Sequence, residues 1–227
     1  MPEDRDARYA GLVHRYDRKP KRRLFDVLKS QGPQPNQDVM FLIDGGEAIR
    51  ALTELATPES EHVFDWFHIA MRVTVLEQYA RGVVHHDEAV GQRLLDSLES
   101  IKWLLWHGNR HRSREEIGFF EDDVDGLTLD YPHLGKFNRT VHEFAVYISS
   151  NTASLINYGE RYRAGERISW CLAESTVNAV IRKRFAKRQQ MRWTKRGAHF
   201  LLQTRTRVLD GTLRPLFERW SPGLANG

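Results

Sequence analysis

The clearest pattern along the chain is a short apolar run, Val-Met-Phe-Leu-Ile at positions 39–43, which ends in Asp44 and two glycines. A continuous run without alternation is typical of a strand covered on both faces, as in a parallel sheet. Residues 47–56 then have helical spacing, and residues 62–66 predict a second strand. Together they predict a βαβ unit, which requires helices on both faces of its sheet.

Most of the other hydrophobic positions follow a helical period. We expect helices over residues 23–30 and 67–81, the latter closed by Gly82, and a long helical block over residues 87–158. The acidic run at 121–126 predicts a loop inside this block. Further helices are expected from a cap at Ser169 to about residue 188, and over residues 197–209.

These patterns predict an α/β fold that is mostly helical overall, with a large all-helical insertion interrupting a small α/β core. We assign residues 1–82 to the first part of the core, with its strands and first helices. Residues 83–165 form the helical insertion, and residues 166–227 supply basic helices that complete the core.

Composition excludes several classes of protein. Hydrophobic residues make up 41% of the chain and charged residues 28%, which is typical of a protein with a packed core. No apolar run approaches the roughly 18 residues of a membrane helix, and the N-terminus is too polar for a secretory signal. The single cysteine, Cys171, excludes a disulfide framework and favours a cytoplasmic protein. The sequence contains no nucleotide-binding loop, no pair of cysteines and no His-Glu-x-x-His motif, so it does not favour a nucleotide cofactor or a zinc site.

The net charge of +4 is unevenly distributed. Residues 161–219 contain 15 Lys and Arg against four acidic residues, so the remainder of the chain is acidic. Clustered cations bind phosphates by releasing counterions, and the asymmetry therefore indicates a polyanionic partner such as nucleic acid. The alternative is an ordinary solvated basic surface.

Asp44 is the first candidate for chemistry. Open α/β sheets bind ligands beyond the carboxyl ends of their strands, and a carboxylate there can hold Mg²⁺. The following glycines would let a phosphate backbone approach closely. The alternative is that Asp44 only turns the chain or caps the next helix.

Glu174 is the second candidate. Val177, Ile181 and Phe185 lie on nearly the same helical face, so Glu174 begins an apolar stripe. A carboxylate that faces a core needs a partner or a metal. The alternative is a first-turn glutamate that the helix dipole favours, or one that reaches water.

The helix predicted to carry Glu174 continues into a basic tract with interspersed polar and aromatic residues, which suit contact with phosphates and unstacked bases. The candidate DNA-binding residues are Asn178, Arg182, Lys183, Arg184, Lys187, Arg188, Arg192 and Lys195. A solvated helix face is the alternative. Asp65 and His68 form a secondary metal-ligand candidate. Alternatively, Asp65 ends the strand and His68 lies in the next helix.

Four stretches, in this order, resemble bacterial insertion-sequence transposases of the DDE type, in particular the ISKra-like group. They are FLIDGG (41–46), FDWFHIAMR (64–72), AESTVN (173–178) and KRQQMRW (187–193). The motifs Gly197-Ala198-His199 and Leu201-Leu202-Gln203 follow, and the resemblance spans roughly residues 9–222.

The resemblance implies an RNase H-like core in which three acids hold Mg²⁺ or Mn²⁺. The second acid matches Asp44 and the third matches Glu174, and the helical block looks like the insertion of related transposases. The implied reaction is two-metal phosphoryl transfer on double-stranded DNA, at the transposon ends and the target. A homo-oligomer assembled on DNA is a further expectation.

The sequence departs from this family at its N-terminal end. No apolar strand ending in aspartate is predicted in residues 1–38, and the family's DNA-recognition region has no counterpart. We therefore expect an N-terminally truncated transposase that lacks the first catalytic aspartate, with doubtful activity by itself. Two alternatives are a non-catalytic DNA-binding protein that uses the basic tract, and a stand-alone RNase H-like nuclease with a third acid nearby.

Overall fold

A computed structural model describes residues 11, 19–30, 39–45, 60–169 and 194–221. Over these residues the chain is mostly helical and contains a two-stranded parallel sheet, so the expected mostly helical α/β composition is confirmed. The chain divides into two compact units. The first comprises Met40–Arg50 and Glu61–Trp170, and the second comprises Met1–Val39, Ala51–Ser60 and Cys171–Gly227.

The sheet of the first unit consists of β1 (Met40–Ile43) and β2 (Glu61–Phe64), which run parallel with Ile43 opposite Phe64. Burial increases along both strands, from an exposed residue at the start to a buried residue at the end. The carboxyl ends are therefore the part of the sheet that is anchored in the core. The two predicted strands are confirmed, and the helix predicted over 47–56 lies outside the described residues.

Helix α2 (Trp66–Val84) follows β2 directly, with Asp65 between them. The Asp65 carboxylate accepts a 2.9 Å hydrogen bond from the Phe67 amide, which caps the helix. The prediction that Gly82 closes this helix is wrong, because the helix continues to Val84. Gly82 lies beneath Tyr131, where a Cβ atom would be 2.3 Å from the Tyr131 hydroxyl oxygen. The lack of a side chain at Gly82 lets Tyr131 pack closely on the helix, and the glycine does not end the helix.

The helical block confirms the predicted helical character of residues 87–158. It contains α3 (Glu88–Trp106), α4 (Arg110–Asp125), α5 (Leu134–Ser150), a short 3₁₀ turn (Thr152–Ser154) and α6 (Tyr158–Arg163). Helices α2 to α5 pack each on the next, and α2 also packs on α5. Their buried faces repeat every three or four residues, as the hydrophobic pattern predicts. Among the core residues are Val73, Leu76, Leu94, Leu98, Ile101, Ile117, Val141 and Ile148.

The acidic run at 121–126 is not a loop as predicted, because residues 121–125 form the last turns of α4. Phe120 and Val124 are buried four residues apart and keep this part of the helix on the core. Two of the acidic side chains have partners on α5. Asp125 accepts a 2.9 Å hydrogen bond from Asn138, and Glu121 lies 2.7 Å from a ring nitrogen of His142.

The described part of the second unit contains α1 (Pro20–Ser30), α7 (Lys195–Leu209) and α8 (Leu213–Trp220). Helices α1 and α7 confirm the helices predicted over 23–30 and 197–209. Gln203 joins two segments, because its amide accepts a 2.9 Å hydrogen bond from Arg23 and donates one of 2.7 Å to the Gly11 carbonyl. Among all the described helices, none combines the length and the hydropathy that crossing a bilayer demands.

Candidate functional site

Asp44 lies at the carboxyl end of β1 with an exposed side chain. Its backbone carbonyl accepts a 3.0 Å hydrogen bond from the hydroxyl of Tyr147, in the last turn of α5. The strand and the helix therefore meet at Asp44. The sequence predicted the position of Asp44 at the end of the strand, but not its contact with α5.

Gly45 has a φ of +94°, in the region that favours glycine. A Cβ atom here would be 2.9 Å from the Asn151 side-chain nitrogen and 3.0 Å from the Tyr147 ring. The buried Asn151 side chain donates a 2.8 Å hydrogen bond to the Tyr147 carbonyl. From the sequence, we expected the glycines after Asp44 to allow the approach of a phosphate backbone. In the structure, Gly45 makes room for the end of α5.

Tyr147 lies between an aromatic ring and a cation. Its ring centroid is 4.8 Å from that of Phe64, and the Arg72 guanidinium carbon is 3.8 Å from the Tyr147 centroid. The pKa of Tyr147 is raised to about 12, chiefly by burial; Arg72 lowers the pKa, and the negative charges of Asp44 and Asp65 contribute to raising it. The hydroxyl therefore remains protonated at neutral pH and is available as a donor.

Asp65 follows β2 as Asp44 follows β1, and its amide donates a 2.9 Å hydrogen bond to the Ile43 carbonyl. Its side chain is buried and caps α2. The alternative interpretation from the sequence, in which Asp65 follows the strand and His68 lies in the next helix, agrees with these positions. Burial raises the pKa of Tyr158, and the charge of Asp65 adds to this effect. His68 lies in the first turn of α2 and is half-buried.

The carboxyl edge of the sheet thus carries two aspartates of different exposure. Asp44 presents a hard oxygen ligand to solvent, which fits Mg²⁺ or Mn²⁺. Asp65 has one carboxylate oxygen in the helix cap. Within the described ranges, no group of three or more His, Cys, Asp or Glu side chains is placed to hold a metal ion.

Glu174 lies outside the described residues, and so do seven of the candidate DNA-binding residues: Asn178, Arg182, Lys183, Arg184, Lys187, Arg188 and Arg192. The proximity of Asp44 and Glu174 therefore stays a prediction. Lys195 is exposed at the first position of α7. Arg161, which contributes to the basic count of 161–219, forms ion pairs with Glu61 and Glu166.

Sequence reasoning missed Tyr147, Arg72 and Asn151 as parts of this site. Arg72 lies at the end of the stretch 64–72 that resembles the transposases, which is a signal that could have singled it out. Tyr147 and Asn151 lie in a helical stretch about a hundred residues from Asp44, and no spacing relates them to it.

Comparisons of the chain with protein-family models, with curated proteins and with solved structures found no match.

Proposed function

We propose that the chain is a DDE-type DNA transposase with an RNase H-like core, whose reaction is metal-dependent phosphoryl transfer, and that it supplies the second and third of the three metal-binding acids. The ordered set of four motif stretches suggests this function. The structural observation that supports it most is the exposed Asp44 at the carboxyl end of β1, beside the paired strand β2, which Asp65 follows. Ligands of open α/β sheets bind at this edge.

Asp44 and Glu174 are the proposed ligands of Mg²⁺ or Mn²⁺. When bound, such ions supply Lewis-acid stabilisation of the charge on the reacting phosphate. The residues of the chain have separate tasks. Asp44 offers its carboxylate at a surface that a DNA backbone can reach, and Tyr147 holds the backbone of Asp44 in place. Asp65 keeps β2 continuous with α2 through the helix cap.

The basic tract from Asn178 to Lys195 is the proposed contact with double-stranded DNA. Binding through Lys and Arg releases counterions from phosphates, so affinity should fall steeply with salt. Charge reversal in this tract, for example Arg184→Glu with Arg188→Glu, is expected to weaken binding to duplex DNA of any sequence.

The proposed function is tested by Mn²⁺ binding to the full chain, measured by electron paramagnetic resonance of the free ion. Wild type is expected to bind Mn²⁺, and Asp44→Asn and Glu174→Gln are expected to bind it much more weakly. The matched control is Asp130→Asn, an exposed aspartate in the loop before α5, which should behave as wild type. The proposal would be contradicted if both variants bind Mn²⁺ as tightly as wild type does. It would also be contradicted if wild type does not bind Mn²⁺.

A crosslink tests whether the two proposed ligands meet. In a Cys171→Ser background, Asp44→Cys combined with Glu174→Cys should be joined efficiently by a short bifunctional thiol reagent. The control pair, Asp130→Cys with Glu174→Cys, should be joined poorly. Equal yields from the two pairs would contradict a shared metal site.

The uneven charge favours a second candidate, a non-catalytic DNA-binding protein. It predicts DNA affinity that neither Asp44→Ala nor Mg²⁺ changes, together with no specific Mn²⁺ site. A gel-shift titration of wild type and Asp44→Ala, with and without Mg²⁺, distinguishes the two functions.

A further inference from the structure

The contact between Tyr147 and Asp44 involves the backbone of Asp44. The hydroxyl donates to the backbone carbonyl of Asp44, while the Asp44 side chain is exposed to solvent. The hydrogen bond therefore fixes the peptide unit that follows the Asp44 Cα atom and leaves the carboxylate accessible. The next residue is Gly45, whose backbone has more freedom than that of any other residue.

The Tyr147 ring is itself held from several directions. Phe64 packs against it from β2, and Arg72 places its guanidinium over it from α2. Asn151 binds the Tyr147 carbonyl and also lies against Gly45. The donor that holds Asp44 is thus fixed by contacts from the strand and from two helices. An ordered donor of this kind restricts the turn without adding a charge to it.

We propose that Tyr147 is a positioning residue for Asp44, which sets the direction of the Asp44 carboxylate and thereby its affinity for a divalent cation. This inference rests on the proposed function, since it assigns Asp44 to the metal. Groups that orient a ligand without touching the metal typically change metal affinity by about 10–100-fold when they are removed. A carboxylate on an unrestrained turn must lose conformational freedom when it binds, which weakens binding.

The test is Mn²⁺ binding to full-length Tyr147→Phe, which removes the hydroxyl and keeps the ring. We expect its dissociation constant for Mn²⁺ to rise about tenfold. The matched control is Tyr79→Phe in α2, whose ring stacks on Phe137 at 5.4 Å in the helical core. Its dissociation constant should equal that of wild type.

A second variant separates positioning from a general loss of stability. Replacement of Tyr147 by p-aminophenylalanine restores a hydrogen-bond donor at nearly the same place. It should recover most of the Mn²⁺ affinity, and melting temperatures measured in parallel show how stability changes. If the donor restores thermal stability but not Mn²⁺ affinity, Tyr147 has only a structural role and the inference is overturned.

The outcomes distinguish this inference from the proposed function. If Asp44→Asn loses Mn²⁺ and Tyr147→Phe binds it as wild type does, the positioning role is wrong and the metal site stands. If Asp44→Asn binds Mn²⁺ as wild type does, the proposed function is wrong, and the positioning role falls with it.

Discussion

The hydroxyl of Tyr158 donates a 2.7 Å hydrogen bond to the backbone carbonyl of Phe64, and both side chains are fully buried. Phe64 is the last residue of β2, and Tyr158 is the first residue of α6. The carboxyl end of the strand is therefore tied to the far end of the helical block by a bond that water does not reach.

Tyr158→Phe should destabilise the protein by about 1–3 kcal/mol, because it leaves the buried Phe64 carbonyl without this donor. Urea unfolding followed by circular dichroism measures the change. The control is Tyr162→Phe, a residue of the same helix that is 66% exposed, which should be nearly neutral. Equal effects of the two substitutions would contradict the importance of the buried bond.

Stability should fall at alkaline pH because of the buried tyrosines. The pKa of Tyr147 is raised from 10.0 to about 12, and burial raises that of Tyr158 as well. Their stabilising contribution is complete below pH 10. This contribution is lost as the pH rises through the pKa of the folded state, because the same tyrosines ionise at a lower pH in the unfolded chain. Between pH 10 and 12, the free energy of unfolding of Tyr147→Phe should therefore decrease less than that of wild type. The free energies are measured by urea unfolding. An equal decrease with pH for wild type and Tyr147→Phe would contradict the prediction.

Gly45→Ala should destabilise the protein by about 2 kcal/mol, because a residue with a side chain is strained at a φ of +94°. The new methyl group would also lie against Asn151, Tyr147 and Phe64. Gly118→Ala in α4 is the control, and its effect on stability should have the opposite sign, since nothing lies within 4 Å of its Cβ position. It should stabilise the protein by about 0.5–1 kcal/mol. Melting temperatures that move in the same direction for both variants would disagree with this structure.

Asp65→Ala should cost about 1–2 kcal/mol by removing the cap of α2, whereas Asp65→Asn should retain the cap. We also expect Asp65→Asn to bind Mn²⁺ with wild-type affinity, because Asp65 acts here on the helix. Thermal unfolding and Mn²⁺ titration of the two variants test this. A large loss of Mn²⁺ affinity in a fully stable Asp65→Asn would instead make Asp65 a metal ligand.

The elements of the fold could be predicted where a hydrophobic pattern determines them. The run 39–43 and the helical repeats of 87–158 belong to this class, because burial on a sheet or a helix imposes a fixed period. The predicted end of α2 at Gly82 was wrong because the packing of Tyr131 decides what residue fits there. The predicted acidic loop was wrong because Phe120 and Val124 bury one face of a helix whose other face is charged.

Only part of the candidate site could be predicted from the sequence. The position of Asp44 follows from the local order of strand, acid and glycine. The contacts of Tyr147 with Asp44 and of Arg72 with Tyr147 depend on how α5 and α2 pack beside the strands. No local pattern encodes such packing, because the partners are far apart along the chain. The proposed proximity of Glu174 to Asp44 is a long-range relationship of the same kind and stays a prediction.

The Trp66 amide donates a 3.2 Å hydrogen bond to the carbonyl of Ile168. The start of α2 and the segment that follows α6 are therefore adjacent. Because the chain enters and leaves the helical block at this place, an insertion in a turn between two helices of the block need not separate these two ends. Removal of α5 or α6 would break contacts with both strands, because Asn151 packs on Gly45 and Tyr158 binds the Phe64 carbonyl. The block is therefore expected to gain length in its turns more readily than to lose a helix.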